Sequence, residues 1–461
     1  MQSEYEECKT SQDEYTNFDI GKYTTPDIVR NQLDINFDFH SNNSYADNSY
    51  SDRDSRYEYS NLSGNISSSF SHYVNTRKKI SSLIGNLSFR ESYSSSKNKQ
   101  SFTDDNSTNI DNESRSFQQN SLLSMSWSNK WYFSELIFMD YGINSNISYN
   151  FTQYKTKNQS EDSNQKQKDF FLNISPQLGI GYGRIENVRD ARQAVYIANA
   201  LSKNKVLTRN LSNDELFELS QIISTVKNKR FLDSRLHLIE EITSVDSFFV
   251  DNNLLADNGA VYFTTLYDMW QYGDLFSRNS GYEISFLIRP YYDYRNVKYT
   301  PTIRDFINNS TQHIVSLNFS YEKPFKLNWQ HSLSADVSGG IGSSSEEKKQ
   351  TDNNYKISTK NKGFSAFAGY SLGYYPNTRT NIRVATSQQI SKNIYDGERR
   401  STDFQSMLNA YLYYYFSPNL RLAGDCRLMY SPRRSKGNEE YYSNINTFSS
   451  SFNIQLVYSF F

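Results

Sequence analysis

Ordinary apolar side chains are scarce in this chain of 461 residues. Only 36% of the residues are hydrophobic, the mean hydropathy is −0.75, and there are just two cysteines, Cys8 and Cys426. Two thiols so far apart in sequence can neither frame a disulfide scaffold nor provide a zinc site. A large soluble domain is usually closer to half apolar, so a packed, dry interior is disfavoured.

Long apolar runs and an excess of charge of one sign are also lacking. No stretch reaches the roughly 20 apolar residues of a membrane helix, although barrel strands need only about 9–11 residues. The 49 basic and 50 acidic residues give a formal net charge of −1, so no global field recruits nucleic acid. The residues after Met1 do not form a secretory signal. We therefore expect that an export signal was removed or that an upstream part is missing.

Aromatic residues are abundant, with 37 tyrosines and 30 phenylalanines. Many fall in segments where apolar and polar residues alternate, as in 33–40, 282–289 and 452–460. Alternation of this kind is typical of a strand with one apolar and one polar face. A disordered chain of this polarity would lack aromatics, whereas a transmembrane β-barrel needs them at both membrane interfaces.

About fourteen such segments predict a mainly β protein, an antiparallel up-and-down transmembrane β-barrel of 12–16 strands. Long polar connections, such as 41–56 and 344–360, follow the odd strands, and short ones follow the even strands. Outer-membrane barrels have long outside loops and tight periplasmic turns in this way. A polar periplasmic leader over 1–30 precedes the first half of the barrel, 31–183, and the second half is 280–461. The predicted strands are 32–41, 57–74, 80–94, 113–127, 136–153, 168–183, 280–297, 311–322, 327–343, 361–375, 378–394, 402–417, 419–431 and 445–461.

Between the sixth and seventh strands the apolar period changes from two to 3.6, which predicts an α-helical insert over 184–279. Apolar stripes lie over 191–201 and 216–226, and a third helix over 233–248 is expected to turn Leu236, Ile239 and Ile242 inward. Because the insert follows an even strand, we expect it on the periplasmic side. Its apolar stripes form the core of the insert or, in the alternative interpretation, a groove that docks a periplasmic protein.

Two local motifs mark the borders of this insert. Ser212 and Glu215 have the spacing of a capping box that opens the second helix. Gly179, Gly181 and Gly183 lack the spacing of a dinucleotide site. We expect these glycines to allow a bend or a close approach of another backbone.

No catalytic motif stands out, and the chain is not expected to be an enzyme. Because the histidines are scattered without metal-ligand spacing, no metal or cofactor site is predicted. A barrel-embedded serine hydrolase is kept as an alternative, because serine is abundant and barrel lipases use a Ser/His/acid arrangement. The five histidines are His40, His72, His237, His313 and His331.

Charged side chains at inward positions of the predicted strands are the better candidates for function. Their mixed signs fit a selectivity zone along a solute path. They also fit a web of salt bridges and hydrogen bonds that closes the barrel across its lumen, and we favour this interpretation. The predicted lumen charge cluster consists of Asp34, Asp38, Glu283, Arg289, Asp293, Arg295, Arg383, Arg421, Asp425 and Arg427.

With this architecture the chain resembles porin-like outer-membrane β-barrel proteins of Gram-negative bacteria, of an uncharacterised type with a helical periplasmic insert. The likeness covers 31–183 and 280–461, and Tyr458, Phe460 and Phe461 supply the terminal aromatic signal for the barrel-insertion machinery. The usual signal places apolar residues at odd positions counted from the end, whereas here the set is shifted by one. The resemblance implies an integral outer-membrane location in contact with lipid, and passage of solutes. It carries no ligand residues across.

The leading hypothesis is a passive channel or transport-associated protein for small solutes, because a barrel of this size holds water unless loops or the insert obstruct it. The main alternative is a non-conducting scaffold or surface-binding protein whose insert docks a periplasmic partner. The hydrolase and a soluble, secreted β-rich binding protein are further alternatives. The membrane hypotheses all require lipid contact by every second side chain around a closed cylinder.

Overall fold

Fourteen strands, each paired antiparallel with the next one in sequence, form the sheet in the computed structural model of the chain. The structure describes residues 15, 18–50, 53–102, 110–158, 162–228, 234–256, 259–273, 276–301, 304–350, 354–396, 399–417, 420–437 and 442–458. The strands are β1 (Ile28–Ser49), β2 (Arg53–Asn75), β3 (Lys79–Phe102), β4 (Ile110–Tyr132), β5 (Ile137–Lys157), β6 (Asp162–Asn187), β7 (Asn279–Thr300), β8 (Arg304–Phe325), β9 (Trp329–Gln350), β10 (Asn354–Asn377), β11 (Thr380–Tyr395), β12 (Arg399–Ser417), β13 (Leu420–Lys436) and β14 (Tyr442–Tyr458).

The predicted fold class is confirmed in strand number, direction, up-and-down order and the position of the helices between β6 and β7. Of the predicted terminal aromatic signal, Tyr458 is the last residue of β14, whereas Phe460 and Phe461 lie outside the described residues. Cys8 also lies outside them.

The strands are longer than predicted, because many of the polar connections continue the strand pairs. In β1 and β2 the ladder runs past Ser41, opposite Leu62, to Ser49, opposite Asp54. In β9 and β10 the ladder likewise continues to Lys349, opposite Asn354. The predictions of long loops over 41–56 and 344–360 were therefore wrong. A ladder satisfies backbone N–H and C=O groups whatever the side chains are. Where both faces are polar, the apolar alternation that reveals a strand in the sequence is absent.

The sheet has an apolar outer face and a more polar inner face. On β7 the outward side chains of Tyr282, Ile284, Phe286 and Ile288 are 39–49% exposed, whereas Ser285 on the inner face is 6% exposed. This is the alternation that the sequence predicts for 282–289. The side chains of Leu33 on β1 and Phe452 on β14 belong to the same exposed apolar set, which recurs on most strands.

Thirteen of the fourteen seams of the expected cylinder are formed. Within the described parts of β1 and β14, the two strands are not paired with each other, and every β1 residue after Ile28 is exposed. The seam between the first and last strand is thus open. Alternation specifies the face that a side chain takes, but the register of a closing pair also depends on the shear of the whole sheet.

Four helices follow β6: α1 (Arg189–Lys203), α2 (Asn213–Asn228), α3 (Ser234–Asp251) and α4 (Ala260–Tyr272). We call residues 188–278 the helical module. Asn187 and Asn279 lie opposite each other in the β6–β7 ladder, so the module stands where a tight turn would close a hairpin. Among the described residues, no helix is long and apolar enough to cross a membrane.

The described part of the N-terminal leader, residues 15 and 18–27, contributes to the core of the helical module, and from here on the leader denotes these residues. Tyr15, Phe18, Ile20 and Tyr23 pack with the buried faces of the helices, and each is at most 6% exposed. The Tyr23 hydroxyl donates to the carbonyl oxygen of Ser220 on α2 (3.2 Å). The leader and the module therefore form one folded unit, which the sequence pattern had separated.

Helix α3 differs in part from its prediction. Ile242 packs against the core as expected, but Ile239 is 77% exposed, and Val245 and Phe249 are the fully buried residues. Glu241 is also buried, and its Oε2 accepts a hydrogen bond from Trp270 Nε1 on α4 (3.0 Å). A buried indole N–H needs an acceptor. The hydrogen bond from Trp270 therefore places the face of α3 that carries Glu241 in the core, and the spacing of apolar residues alone does not indicate this.

Both border motifs behave as predicted. Ser212 N donates to Glu215 Oε2 (2.7 Å) and Glu215 N donates to Ser212 Oγ (3.3 Å), which completes the capping box of α2. Gly183 has a φ of +107°, a conformation that side chains rarely adopt. A Cβ at Gly181 would lie 2.2 Å from the Phe138 ring, so this glycine makes room for an aromatic side chain.

Candidate functional site

The ten predicted lumen charges are spread over β1, β7, β11 and β13 and do not converge on one point. Asp38 accepts from Asn65 on β2 (3.0 Å), and Arg295 donates to both carboxylate oxygens of Asp169 on β6 (3.1 and 2.6 Å). These are contacts between neighbouring strands. Similar short-range contacts join Asp293 to Asn173, Arg289 to Ser316, Arg383 to Ser371, Arg427 to Asn409, Asp425 to Asn453 and Asp34 to Gln32, while Arg421 lies opposite Tyr415.

Glu283 is different, because its partner is not on a neighbouring strand. Its Oε1 lies 2.5 Å from Lys130 Nζ on β4, and β5 and β6 stand between the two strands in the sheet. Adjacent strands are about 4.8 Å apart, so the path along the sheet is roughly 14 Å. The ion pair therefore spans the concave inner side of the sheet.

Arg184 makes a second contact of this kind. Its Nη2 lies 2.7 Å from Asn75 Oδ1 at the end of β2 and also donates to the carbonyl of Thr76. Its Nη1 donates to the carbonyl of Arg77, and its Nε donates to Glu186 Oε1 (2.6 Å). The side chains of Arg184 and Glu186 are only 9% and 11% exposed. They tie β6 to the β2–β3 turn.

Aromatic rings line these charges. Tyr132 and Phe138 are 4% and 0% exposed. The Arg184 guanidinium lies over the Tyr132 ring at 4.9 Å, and Lys130 Nζ lies over the Phe138 ring at 5.3 Å. Cations over aromatic faces are stabilised electrostatically. We define the turn-end cluster as Asn75, Lys130, Tyr132, Phe138, Arg184, Glu186 and Glu283.

Of this cluster, only Glu283 was among the predicted site residues. Lys130 was missed because it was assigned to a turn, and Arg184 and Glu186 because they were assigned to the helical insert. One feature of the sequence could have indicated Arg184. The glycine run that ends at Gly183 is followed directly by Arg184, and a run of small residues on an inner face leaves space for large side chains.

The helical module meets the sheet at the same end, on β9, β10 and β12. Arg278 is fully buried. Its guanidinium donates to the carbonyl oxygens of Leu327 (2.7 Å) and Trp329 (2.6 Å) and to Oε1 of Gln330 (3.0 Å). It also lies over the ring of Tyr375, 5.2 Å from the centroid. Burial lowers the pKa of Arg278 to about 10, which leaves it charged at neutral pH.

The leader forms hydrogen bonds both with the turn-end cluster and with the start of β7. Thr25 Oγ1 donates to Glu186 Oε2 (2.6 Å) and accepts from Asn75 Nδ2 (3.0 Å). Ser280 Oγ at the start of β7 donates to the carbonyl oxygen of Gly21 (3.1 Å). The leader, the helical module and the turn-end cluster therefore form one connected polar network. It lies at the end of the sheet that carries the β2–β3 and β8–β9 turns, which we call the tight-turn end.

Nothing in the described residues assembles a metal centre. No group of three or more His, Cys, Asp or Glu side chains in that part of the chain could hold a metal ion. His72 Nδ1 is paired with Asn31 Oδ1 (2.6 Å) and His331 Nδ1 with the Tyr370 hydroxyl (2.8 Å). The side chain of His237 lies outside the described residues.

No family model and no curated protein matches the chain. The solved structures that it resembles are outer-membrane β-barrels, the predicted type. The translocator domain of the autotransporter NalP from Neisseria meningitidis is 8% identical, with 84% of this chain and 90% of that one covered and a TM-score of 0.26. The ferric yersiniabactin uptake receptor FyuA from Yersinia pestis is 9% identical, with 93% and 73% covered and a TM-score of 0.30. The CymD monoaromatic hydrocarbon channel is 9% identical, with 98% and 92% covered and a TM-score of 0.22. At these scores the likeness carries no argument about function.

Proposed function

We propose that the protein is an integral outer-membrane β-barrel that forms a passive channel for small solutes. The observation that carries the membrane location is the exposed apolar outer face, bordered by aromatic side chains at two levels. Monomeric soluble proteins rarely expose contiguous apolar surface on this scale. Lipid then surrounds this outer face, and outer-membrane lipid is the first proposed partner.

The spacing of the bordering aromatics supports this location. On several strands two outward aromatic residues stand ten positions apart, which matches the roughly 9–11 residues of a membrane-spanning strand. Aromatic girdles at both interfaces are expected for a barrel in a bilayer. The pairs are Tyr282 and Tyr292 on β7, Phe364 and Tyr374 on β10, Phe404 and Tyr414 on β12, and Phe448 and Tyr458 on β14.

The polar inner face supports the channel. Asp293, Arg295 and Arg383 are held there by contacts with neighbouring strands, and such side chains require water or polar partners. A sheet of fourteen strands encloses more space than its own side chains fill. Water and small solutes would occupy the remainder.

Strand parity supports a periplasmic position of the helical module. The module connects β6 to β7 at the end opposite the polar extensions of the strand pairs, such as 41–49 paired with 54–62. The long polar segments of outer-membrane barrels lie on the outside, and the opposite end faces the periplasm. The terminal aromatic residues would be recognised by the barrel-insertion machinery, the second proposed partner.

Planar-bilayer recording on purified, folded protein tests the channel. We expect discrete, reproducible conductance steps, and the same preparation after heat denaturation serves as the control. Folding is checked independently by the shift in gel mobility between unheated and heated samples. Folded protein that inserts into the bilayer but passes no ions, both as wild type and with the helical module released from the sheet, would contradict the channel.

A non-conducting scaffold is the second candidate, and the turn-end cluster is the observation that favours it, because buried charges and rings occupy the interior there. In this case the module would dock a periplasmic protein. A photo-crosslinker at the exposed Lys203 on α1 should then capture one specific protein. Lys227 is unsuitable, because its side chain is buried against Asp190. A serine-reactive probe tests the hydrolase alternative.

A further inference from the structure

We propose that the helical module and the leader are an autoinhibitory plug, seated in the tight-turn end of the interior and latched there by Arg278 and Arg192. This inference rests on the channel proposed above and adds its regulation. In its seated position the plug would hold the channel closed, and release of the latch would open it.

The module contacts side chains that point inward from several strands. Gln330 on β9 and Tyr375 on β10 are 5% and 7% exposed, on the opposite face from exposed residues such as Leu333 and Tyr370. Phe276, just before β7, contacts the ring of Tyr375 at 5.8 Å between centroids. The module therefore reaches under the rim into the interior and is not attached to the outside of the sheet.

Two further aromatic contacts extend this seat to β12. Phe276 packs edge-on against Tyr413 (5.7 Å between centroids), and Tyr272 at the end of α4 packs against Tyr415 (6.0 Å). Tyr413 and Tyr415 alternate with the outward Leu412 and Phe416, so they face inward. Three strands, β9, β10 and β12, thus present interior side chains to the module.

On the other side, the leader fastens the same unit to β2 and β6. Thr25 bridges Glu186 and Asn75, as described above. In a cylinder of fourteen strands β6 and β12 are six strands apart and lie nearly opposite each other, so a unit that contacts both spans the opening between them. The contacts of a plug are expected on opposite walls, whereas a module hanging freely in the periplasm would contact only the strands to which it is joined.

Arginine side chains hold the seat. Arg192 on α1 is 2% exposed. Its Nη2 donates to the Tyr196 hydroxyl (2.7 Å) and to the carbonyl of Asn377 (3.4 Å). Its guanidinium lies 5.2 Å from the centroid of Tyr375, the ring that Arg278 also covers. Two cations therefore converge on one ring.

The partners of these two cations are all neutral. Among the described residues, no carboxylate lies within ion-pair distance of Arg192 or Arg278, and their acceptors are carbonyl, amide and hydroxyl oxygens. Two like charges repel in a region of low dielectric. The latch is thus a balance between repulsion and directed hydrogen bonds, and this balance allows it to be released.

The test records single channels in planar bilayers from the full-length wild type, Arg278→Gln and Arg192→Gln. Gln cannot reach three acceptors, so buried carbonyl groups lose their donor when the module is seated. We expect the wild type to be mostly closed and the open fraction of Arg278→Gln to rise by about tenfold or more. Lys203→Gln, which removes a positive charge at an exposed position of α1, is the control and should behave as wild type.

A bridged cysteine pair provides an independent measurement. In a background with Cys8 and Cys426 replaced by Ser, Phe276→Cys and Tyr413→Cys are joined by a cleavable thiol-specific reagent. Bridged channels should stay closed, and cleavage should restore opening. Bridged channels that conduct as freely as cleaved ones overturn the plug, as does a steady wild-type current that Arg278→Gln leaves unchanged. If every variant including Arg278→Gln is silent, the channel itself is refuted and the plug with it.

Discussion

Arg184 Nη2 lies 2.7 Å from Asn75 Oδ1, although three strands separate β6 from β2 in the sheet. Along the sheet the same two strands are roughly 19 Å apart. The contact requires a strongly curved sheet, in which the inner faces of β2 and β6 approach each other at the tight-turn end. It therefore defines an interior on one side of the sheet even though β1 and β14 are not paired.

The first prediction concerns this contact. Arg184→Gln should destabilise the folded protein by about 3 kcal/mol, because it removes the nearer of the two cations of the buried Glu186 and leaves only Arg77, at 3.7 Å. Urea-dependent unfolding in phospholipid vesicles, followed by tryptophan fluorescence, measures the change. Arg90→Gln at an exposed position of β3 is the control and should cost less than about 0.5 kcal/mol. Equal effects of the two substitutions would show that the contact has no role in stability.

The second prediction concerns ion selectivity. Lys130→Gln leaves the carboxylate of Glu283 uncompensated in the interior, so cations should be favoured; Glu283→Gln leaves the ammonium of Lys130, so anions should be favoured. Reversal potentials in a KCl gradient should therefore shift in opposite directions. Lys348→Gln, in an exposed pair with Glu346 near the other end of β9, is expected to shift them little. Shifts of the same sign would contradict a solute path at the cluster.

The third prediction compares neighbouring positions on β12. Leu408 is 45% exposed on the outer face, whereas Met407 points inward. An arginine on the lipid face near the middle of the membrane should cost about 2–4 kcal/mol. Leu408→Arg should therefore destabilise the protein in vesicles by that amount, and Met407→Arg by clearly less. If Met407→Arg proves the more harmful, the two faces have been assigned the wrong way round.

The fourth prediction concerns the capping box of α2. Hydrogen bonds from Arg209, supported by those from Ser212, lower the pKa of Glu215 to about 2 from 4.5. The stability that this carboxylate contributes is fully present above about pH 4.5 and is lost as the pH falls towards 2. Glu215→Gln should cost about 1 kcal/mol at pH 6. The difference from wild type should shrink near pH 2.

Circular dichroism of thermal unfolding at several pH values measures this difference in the full-length protein. Glu218→Gln makes the same change of charge at an exposed site on the same helix. It should have little effect at any pH. A loss for Glu215→Gln that is independent of pH would place the contribution of this side chain in packing rather than in its charge.

Much of the fold is readable from local sequence patterns. The alternation around Ile284 and Phe286 gives the face of each side chain, and the change of period after Gly183 marks the helices. The capping box at Ser212 is equally local. Backbone geometry sets these periods within a few residues, so no distant contact is needed to recognise them.

The candidate site was far less predictable. Arg184 and Asn75 are 109 positions apart in sequence, and nothing near either residue indicates the other. The outward rotation of Ile239 depends on the distant pairing of Glu241 with Trp270. The polar ends of the strands were missed because a strand pair that is polar on both faces shows no alternation of apolar and polar residues.

The sequence by itself determined the number and order of the strands, the two faces of the sheet and the place of the helices, because each follows from periodicity within one segment. Only the tertiary structure decided which charges meet in the turn-end cluster, how the leader joins the helical module, and where Arg278 is buried. These depend on the curvature of the whole sheet, which brings together residues that no local pattern relates.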